Sequence, residues 1–229
     1  MNIFDILLNS IKLIFSFDPL LFEIILLSFK VSFTALIISS FFAIILSYIL
    51  ALYNFFLKNI IIIIFNSLMG IPPVVVGIIV YFLVAKGGLL GVFNLLYSPT
   101  AMIIAQIIII FPIVVSLSHQ VFFQSWKQFK DQFQAFNLPF SGVLVILIRN
   151  NYFVILTILL SAFGRAISEV GAVMIVGGNI DHYTRVMTTA ITLETRMGNL
   201  EYAMALGIIL IFLTTIISGI VYLFNYKKR

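Results

Sequence analysis

Five apolar stretches, residues 20–52, 60–84, 101–123, 144–176 and 203–224, dominate this 229-residue chain. Each is long enough for a helix to cross a hydrocarbon core, which takes about 20 apolar residues. None alternates with period two, which argues against a lipid-facing barrel, so α-helix remains the way to satisfy every backbone amide and carbonyl in lipid. Hydrophobic residues make up 62% of the chain and charged ones only 9%, with a mean hydropathy of +1.22. Soluble domains carry about 25% charged residues. The sequence therefore predicts an all-α, polytopic membrane helix bundle of about five transmembrane helices.

Around these spans the chain divides into an amphipathic amino-terminal segment (1–18), a transmembrane domain (19–225) and a basic tail (226–229). Asn2, Asp5, Asn9 and Lys12 recur at steps of three and four, which predicts a helix lying at the membrane surface; a short sixth span is the alternative. The start is not basic and no small-residue cleavage site follows, so a signal peptide is not expected. Without cysteine, no disulfide, thiol nucleophile or thiolate metal site is available. Lys58, Lys127, Lys130, Arg149, Lys227, Lys228 and Arg229 fall on one side of a five-span bundle, which predicts that this side is cytoplasmic and the amino terminus outside. The other side carries Lys12, Lys86, Arg185 and Arg196, offset by Asp5, Asp18, Glu23, Asp181, Glu194 and Glu201. Topology thus accounts for much of the net charge of +5, and no nucleic-acid partner is implied. Lys30 snorkels outward, because the first stretch, about 50 Å as a helix, overruns a core of about 30 Å.

Several residues exceed what a plain bundle needs. Pro72 and Pro73 remove two amide donors, so a kink or break is expected there, either for packing or to shape a gate. Gly70 and Gly77 offer close approach to another helix, and Pro112 predicts a kink in the third span. Arg165 and Glu169, four apart on one helix face, lower each other's cost in the membrane. On a helix starting near Leu144 they lie about 30 Å along it, toward the outer half. Both a structural ion pair and a pathway element remain open. Thr184, Thr188, Thr192 and Thr195 form a hydroxyl stripe beside Arg185 and Arg196, either a polar face on an outer re-entrant helix or contacts for a tetrahedral oxyanion. His119 and His182 have no second ligand at metal-binding spacing, so no metal site is expected.

The segment 124–142 is polar with an aromatic stripe at Trp126, Phe129, Phe133 and Phe136, predicting a short helix ended by Asn137 and Pro139. Such a helix packs on its own bundle or docks a partner. Here the chain resembles the permease subunits of ABC importers, whose cytoplasmic loop of the form E-A-A-x-x-L-G makes a coupling helix. Asp131, Phe136 and Asn137 keep the acid, the apolar position and a residue tolerant of a left-handed turn, while Gln132 and Phe133 replace the small residues. "MGIPPVVVGIIVYFLVAKGGLLG" at 69–91, then "GRAISEVGAVMIVGGNI" at 164–180 and "TRVMTTAITLET" at 184–195, resemble the molybdate and tungstate permeases, the tungstate branch most closely. Those permeases often have one more amino-terminal span than this chain.

The resemblance implies an oxyanion importer subunit of a bacterial cytoplasmic membrane. Its partners would be a second copy of itself, a cytoplasmic ABC ATPase holding ATP and Mg, an extracytoplasmic oxyanion-binding protein, and lipid. No G-x-x-x-x-G-K-[ST] phosphate loop occurs, so nucleotide is expected elsewhere and no catalytic residue or cofactor is expected in this chain. Coupling would fall to Asp131, Phe133, Phe136 and Asn137. Pro72, Pro73, Gly77, Arg165 and Glu169 are candidates for the pathway or gate, and Thr184, Arg185, Thr188 and Thr192 for outer oxyanion contacts. A stand-alone channel or secondary carrier is the alternative, although secondary carriers commonly show paired halves and no internal repeat is visible here.

Overall fold

The computed structural model describes residues 3–16 and 18–226, with backbone alone for 221, 222 and 224–226. Asn2 of the amino-terminal pattern, and Lys227, Lys228 and Arg229 of the tail, lie outside the described residues. The chain folds as α1 (Ile3–Phe15), α2 (Pro19–Leu52), α3 (Lys58–Leu68), α4 (Pro73–Val84), α5 (Pro99–Ala135), α6 (Phe140–Asn150), α7 (Tyr152–Ile167), α8 (Gly171–Gly177), α9 (Met187–Met197) and α10 (Leu200–Tyr226), with one 3₁₀ turn at Gly91–Phe93. Among the described residues there is no strand.

The centre of the bundle is α2 against α5, the most extensive helix contact. Asp18 starts α2 by accepting the amides of Leu20 and Leu21, with Pro19 at the first position, where its missing amide costs nothing. Buried small residues along α2, Ser32, Ala35, Ser39, Ala43 and Ser47, let a neighbouring helix come close. Gln106 of α5 reaches Ser32 at 3.3 Å, while Phe122 lies edge-on to Tyr48 near the other end. These pairings make α2 and α5 parallel, so α3 and α4 must carry the chain back across between them.

That return is broken. α3 and α4 meet at 107°, where Pro72 and Pro73 interrupt the amide ladder as their chemistry requires. α4 then docks on α8, and Gly77 explains how: a Cβ there would sit 2.9 Å from the Ala172 Cα. Gly70 has no such role, since the nearest atom to its Cβ would be 3.8 Å away. Pro112 lies within a helix that continues unbroken through it, so the expected kink does not divide α5.

The fourth apolar stretch is not one helix. α6 and α7 meet at 78°, and a second break at 168–170 separates α7 from α8. Asn151 bonds Ser125 at one end of α7 and Ala166 accepts from Gln106 at the other, so α7 runs antiparallel to α5. Its crossing starts at Tyr152, and Arg165 is about 20 Å along it rather than 30 Å from Leu144.

Among the described residues three continuous helices, α2, α5 and α10, are long and apolar enough to cross a membrane, and there are up to five crossings if each bent pair is one span. α1 lies at the α2-start face against the first turns of α10, with Ile6 buried and Asp5 and Lys12 exposed. Asn9 donates to Glu201 at 2.8 Å and Ser10 is fully buried, while Ile3, Phe4, Ile11 and Phe15 point outward. The glycine geometry makes a testable contrast. Gly77→Ala should destabilise the detergent-solubilised protein by about 1–3 kcal/mol through overpacking, read as a lower thermal midpoint, while Gly70→Ala should leave the midpoint unchanged.

Candidate functional site

The residues that break the expected helix are the ones the structure draws together. α7 ends at Ile167 and Glu169 lies in the link to α8, so Arg165 and Glu169 do not share one continuous helix. They still pair, Arg165 Nη1 donating to Glu169 Oε2 at 2.6 Å. The other carboxylate oxygen, Oε1, accepts the Ala172 amide at 3.2 Å, mending the first turn of α8. The Glu169 carbonyl accepts the Thr188 hydroxyl of α9 at 2.7 Å, and Gln106 of α5 holds the Ala166 carbonyl at 3.0 Å. Val74 and Gly77 of α4 press on Gly171 and Ala172. Five helices, α4, α5, α7, α8 and α9, therefore meet at one junction with the pair in it.

The two charges have different surroundings. The Glu169 side chain is 2% exposed and Arg165 is 37% exposed. The carboxylate is committed to the fold, and the guanidinium borders an outward face of α7 that also carries exposed Ser161 and Ser168 around Gly164.

Along the threonine stripe Thr184 and Thr188 are buried, Thr192 is half-buried and Thr195 is exposed. Thr184 is fully buried, donating to the Gly177 carbonyl at 2.6 Å and accepting the Ile180 amide at 2.8 Å. Thr188 is spent on Glu169, Thr192 donates to the Thr188 carbonyl, and Arg185 pairs with Asp181 at 2.8 Å. Buried hydroxyls need internal partners, and backbone carbonyls at the α8 end supply them. Beside them an outer cavity of about 200 Å³ is lined by Glu23, Asp181, His182, Arg185, Glu194 and Tyr202. His182, at φ 57 in its loop, bonds Glu23 of α2 at 2.8 Å.

At the opposite end α5 does not stop at the membrane surface: the expected separate helix is its continuation to Ala135. Phe133 stacks on Trp126 and lies tilted against Phe129, and it is buried at 7% exposure in the chain's own core. Phe133 is thus no outward plug. Phe136 is 77% exposed at the tip, and Asn137 adopts φ 47, the left-handed turn for which asparagine substitutes for glycine. Asp131 is exposed on the last turns of α5. Tyr48 of α2 donates to the Phe140 carbonyl at 2.6 Å, tying this turn to the central helix pair.

Residues 43–229 match the family described as binding-protein-dependent transport system inner membrane component. The chain belongs to that family. It is 38% identical over 213 residues, 93% of each chain, to a tungstate uptake system permease protein TupB of Peptoclostridium acidaminophilum. It is 41% identical over 165 residues, 70% of this chain and 71% of the other, to a probable anion ABC transporter permease protein of Haloferax volcanii. A tungstate uptake system permease protein TupB of Campylobacter jejuni is 36% identical over 70% of this chain and 67% of its own. The chain is an ABC-importer permease, a multi-pass membrane protein.

Within the permease, Gln106 and Ser28 are the functional-site residues that the sequence did not single out; Ser28 accepts the Met187 amide at 2.8 Å and seats α9. Their signal was only a polar residue in an apolar span. The unequal burial of the ion pair orders its variants. Arg165→Met strands a buried carboxylate and should cost about 3–5 kcal/mol, more than Glu169→Gln, and the double variant should be better folded than Arg165→Met alone. Thermal midpoints of the four proteins in detergent check this.

His182 is raised above its ordinary value of about 6.5, first by the hydrogen bond to Glu23, then by the Glu23 and Asp181 charges. The protonated contact therefore contributes fully below that ordinary value and is lost as pH rises through the raised one. Wild type should exceed His182→Gln in thermal midpoint at pH 5.5 and match it at pH 9.

Proposed function

We propose that this permease is the membrane-spanning subunit of an ATP-driven importer for a tetrahedral oxyanion, tungstate before molybdate. The observation that carries the reading is the 38% identity across 93% of both chains with a tungstate uptake permease. Two copies form the pathway on their two-fold axis, an extracytoplasmic binding protein delivers the anion, and a separate ATPase holding ATP and Mg does the hydrolysis. The permease catalyses no chemistry. It sits in a bacterial cytoplasmic membrane with its amino terminus outside and its carboxyl terminus in the cytoplasm. Lys58, Lys127, Lys130 and Arg149 at the α5-end face support that orientation.

The outward face of α7 supports the homodimer. Lipid does not tolerate a half-exposed arginine beside two serines at mid-membrane, so this face borders water or a second copy. A two-fold axis there brings two Arg165 side chains to one channel and provides positive charge for a dianion. Each Glu169 behind them limits that attraction, which suits transit rather than tight retention. The gate is the contact of α4 with α8: a shift of the helix that starts at Pro72–Pro73 moves Gly77 against Ala172 and with it the Arg165–Glu169 junction.

Coupling runs through the turn after α5. Phe136 enters the ATPase cleft, Asn137 sets the turn, Asp131 lies at the rim, and Phe133 stiffens the turn from inside. Tyr48 passes movement of Phe140 to α2.

Uptake of tungstate by proteoliposomes holding the permease, its ATPase and its binding protein tests the function; ATP-dependent uptake of neither tungstate nor molybdate would overturn it. Phe136→Ala should weaken ATPase co-purification by about 1–3 kcal/mol, on the scale of an interface hot spot, and leave the permease folded. Phe133→Ala should instead lower the permease's own stability. The chain has no cysteine, so Ser161→Cys offers a single thiol that should oxidise to a covalent dimer in membranes; monomer alone would reject the axis at α7.

A further inference from the structure

Lys58 and His119 have no part in the pathway or the coupling turn, yet both are about nine-tenths buried, at 8% and 9% exposure. Lys58 opens α3 at the face assigned to the cytoplasm. Its ammonium has three donors. The Asn54 side-chain oxygen takes one at 3.1 Å, and the Phe123 ring lies 5.5 Å from Nζ. The His119 ring stacks on the same Phe123 at 5.8 Å, and its Nε2 is buried without a partner among the described residues.

No carboxylate answers this charge. Lys58 has no salt bridge among the described residues. α2 carries only Glu23, near its opposite end, α3 and α6 carry no acid, and α5 carries only Asp131. Asp131 is about 18 Å beyond His119 along the helix. A desolvated ammonium with open donors and no counter-charge is costly, and an anion with several acceptor oxygens removes that cost. Around it the α2–α3 turn exposes Tyr53, Phe55, Phe56 and Leu57, Phe56 at 97%. Aromatic and apolar side chains in such numbers beside a lysine are the pattern of a membrane–water boundary.

We propose that Lys58, with Asn54 and His119, is a site for a phosphate-type tetrahedral oxyanion at the cytoplasmic end of α2, α3 and α5. Lys58 supplies the charge, Asn54 orients the ammonium, and His119 lines the wall of the site on the far side of the Phe123 contact. The anion has two sources, the headgroup of an anionic phospholipid whose chains lie along Phe55 and Phe56, or a soluble oxyanion on the cytoplasmic side.

Two arms separate the sources. In the first, the full chain is placed in nanodiscs of phosphatidylglycerol or of phosphatidylcholine, and native mass spectrometry counts the lipid retained on release. In the second, the chain in neutral detergent, stripped of lipid, is dialysed against labelled inorganic phosphate and against tungstate. The lipid source gives at least one phosphatidylglycerol per chain, reduced tenfold or more in Lys58→Gln, reduced less in His119→Gln and restored in Lys58→Arg. The soluble source gives the same order of variants in dialysis, with no preference between nanodiscs. Asn54→Ala, at an exposed position, provides a second reading should Lys58→Gln fail to fold, and should weaken binding severalfold. Equal retention by wild type, Lys58→Gln and Asn54→Ala in both arms overturns the proposal. So does carbodiimide coupling of Lys58 to a carboxylate of the ATPase in the assembled complex, which would make the partner's acid the counter-charge.

Discussion

A backbone amide or carbonyl left open inside a membrane has no water to turn to, and this permease breaks its apolar stretches at Pro72–Pro73, at Asn151 and at 168–170. At the break at 168–170 side chains add to the backbone bonds that Ser168 and Glu169 donate to Gly164 and Ala166. Glu169 accepts the Ala172 amide, Thr188 donates to the Glu169 carbonyl, Gln106 covers Ala166, and Thr184 covers Gly177. These bonds join α5, α7, α8 and α9, so the repair of one break also fixes the packing of the outer half. The first break, at the two prolines, is seated on the same region through Gly77 and Ala172.

The Arg165–Glu169 pair takes its character from that repair. A carboxylate that both caps α8 and holds a guanidinium is structural, whatever the guanidinium does. The two members differ in setting: the Glu169 carboxylate is buried and bound to α8, and Arg165 reaches the outward face of α7. At the other end Phe133 is buried in the core at the end of α5, and Phe136 is exposed at its tip.

Much of this was legible in particular residues. Pro72 and Pro73 announced their break because a missing amide has the same consequence in any setting, and Asn137 announced its left-handed turn for a similarly local reason. The break after Ile167 was not legible, since Ser168, Glu169, Val170 and Gly171 are all compatible with helix and only the carboxylate's partner ends it. The aromatic stripe from Trp126 to Phe136 left own-core packing and partner docking undecided, and the structure divides it at Phe133.

The sequence by itself determined that the chain lives in a membrane, holds five long apolar stretches, bends at its paired prolines and gathers lysine on one side. Those properties follow from composition, length and local stereochemistry. Only the tertiary structure decided which polar groups face inward. In a soluble protein the polar face of a helix marks the outside, but in a membrane lipid and protein core are both apolar, so periodicity cannot separate them. The partners that settle it lie far off along the chain, 60 residues between Gln106 and Ala166 and 192 between Asn9 and Glu201. Hence Thr184 and Thr188 are hydrogen-bonded inside the bundle, and Asn9 of α1 meets Glu201 of α10.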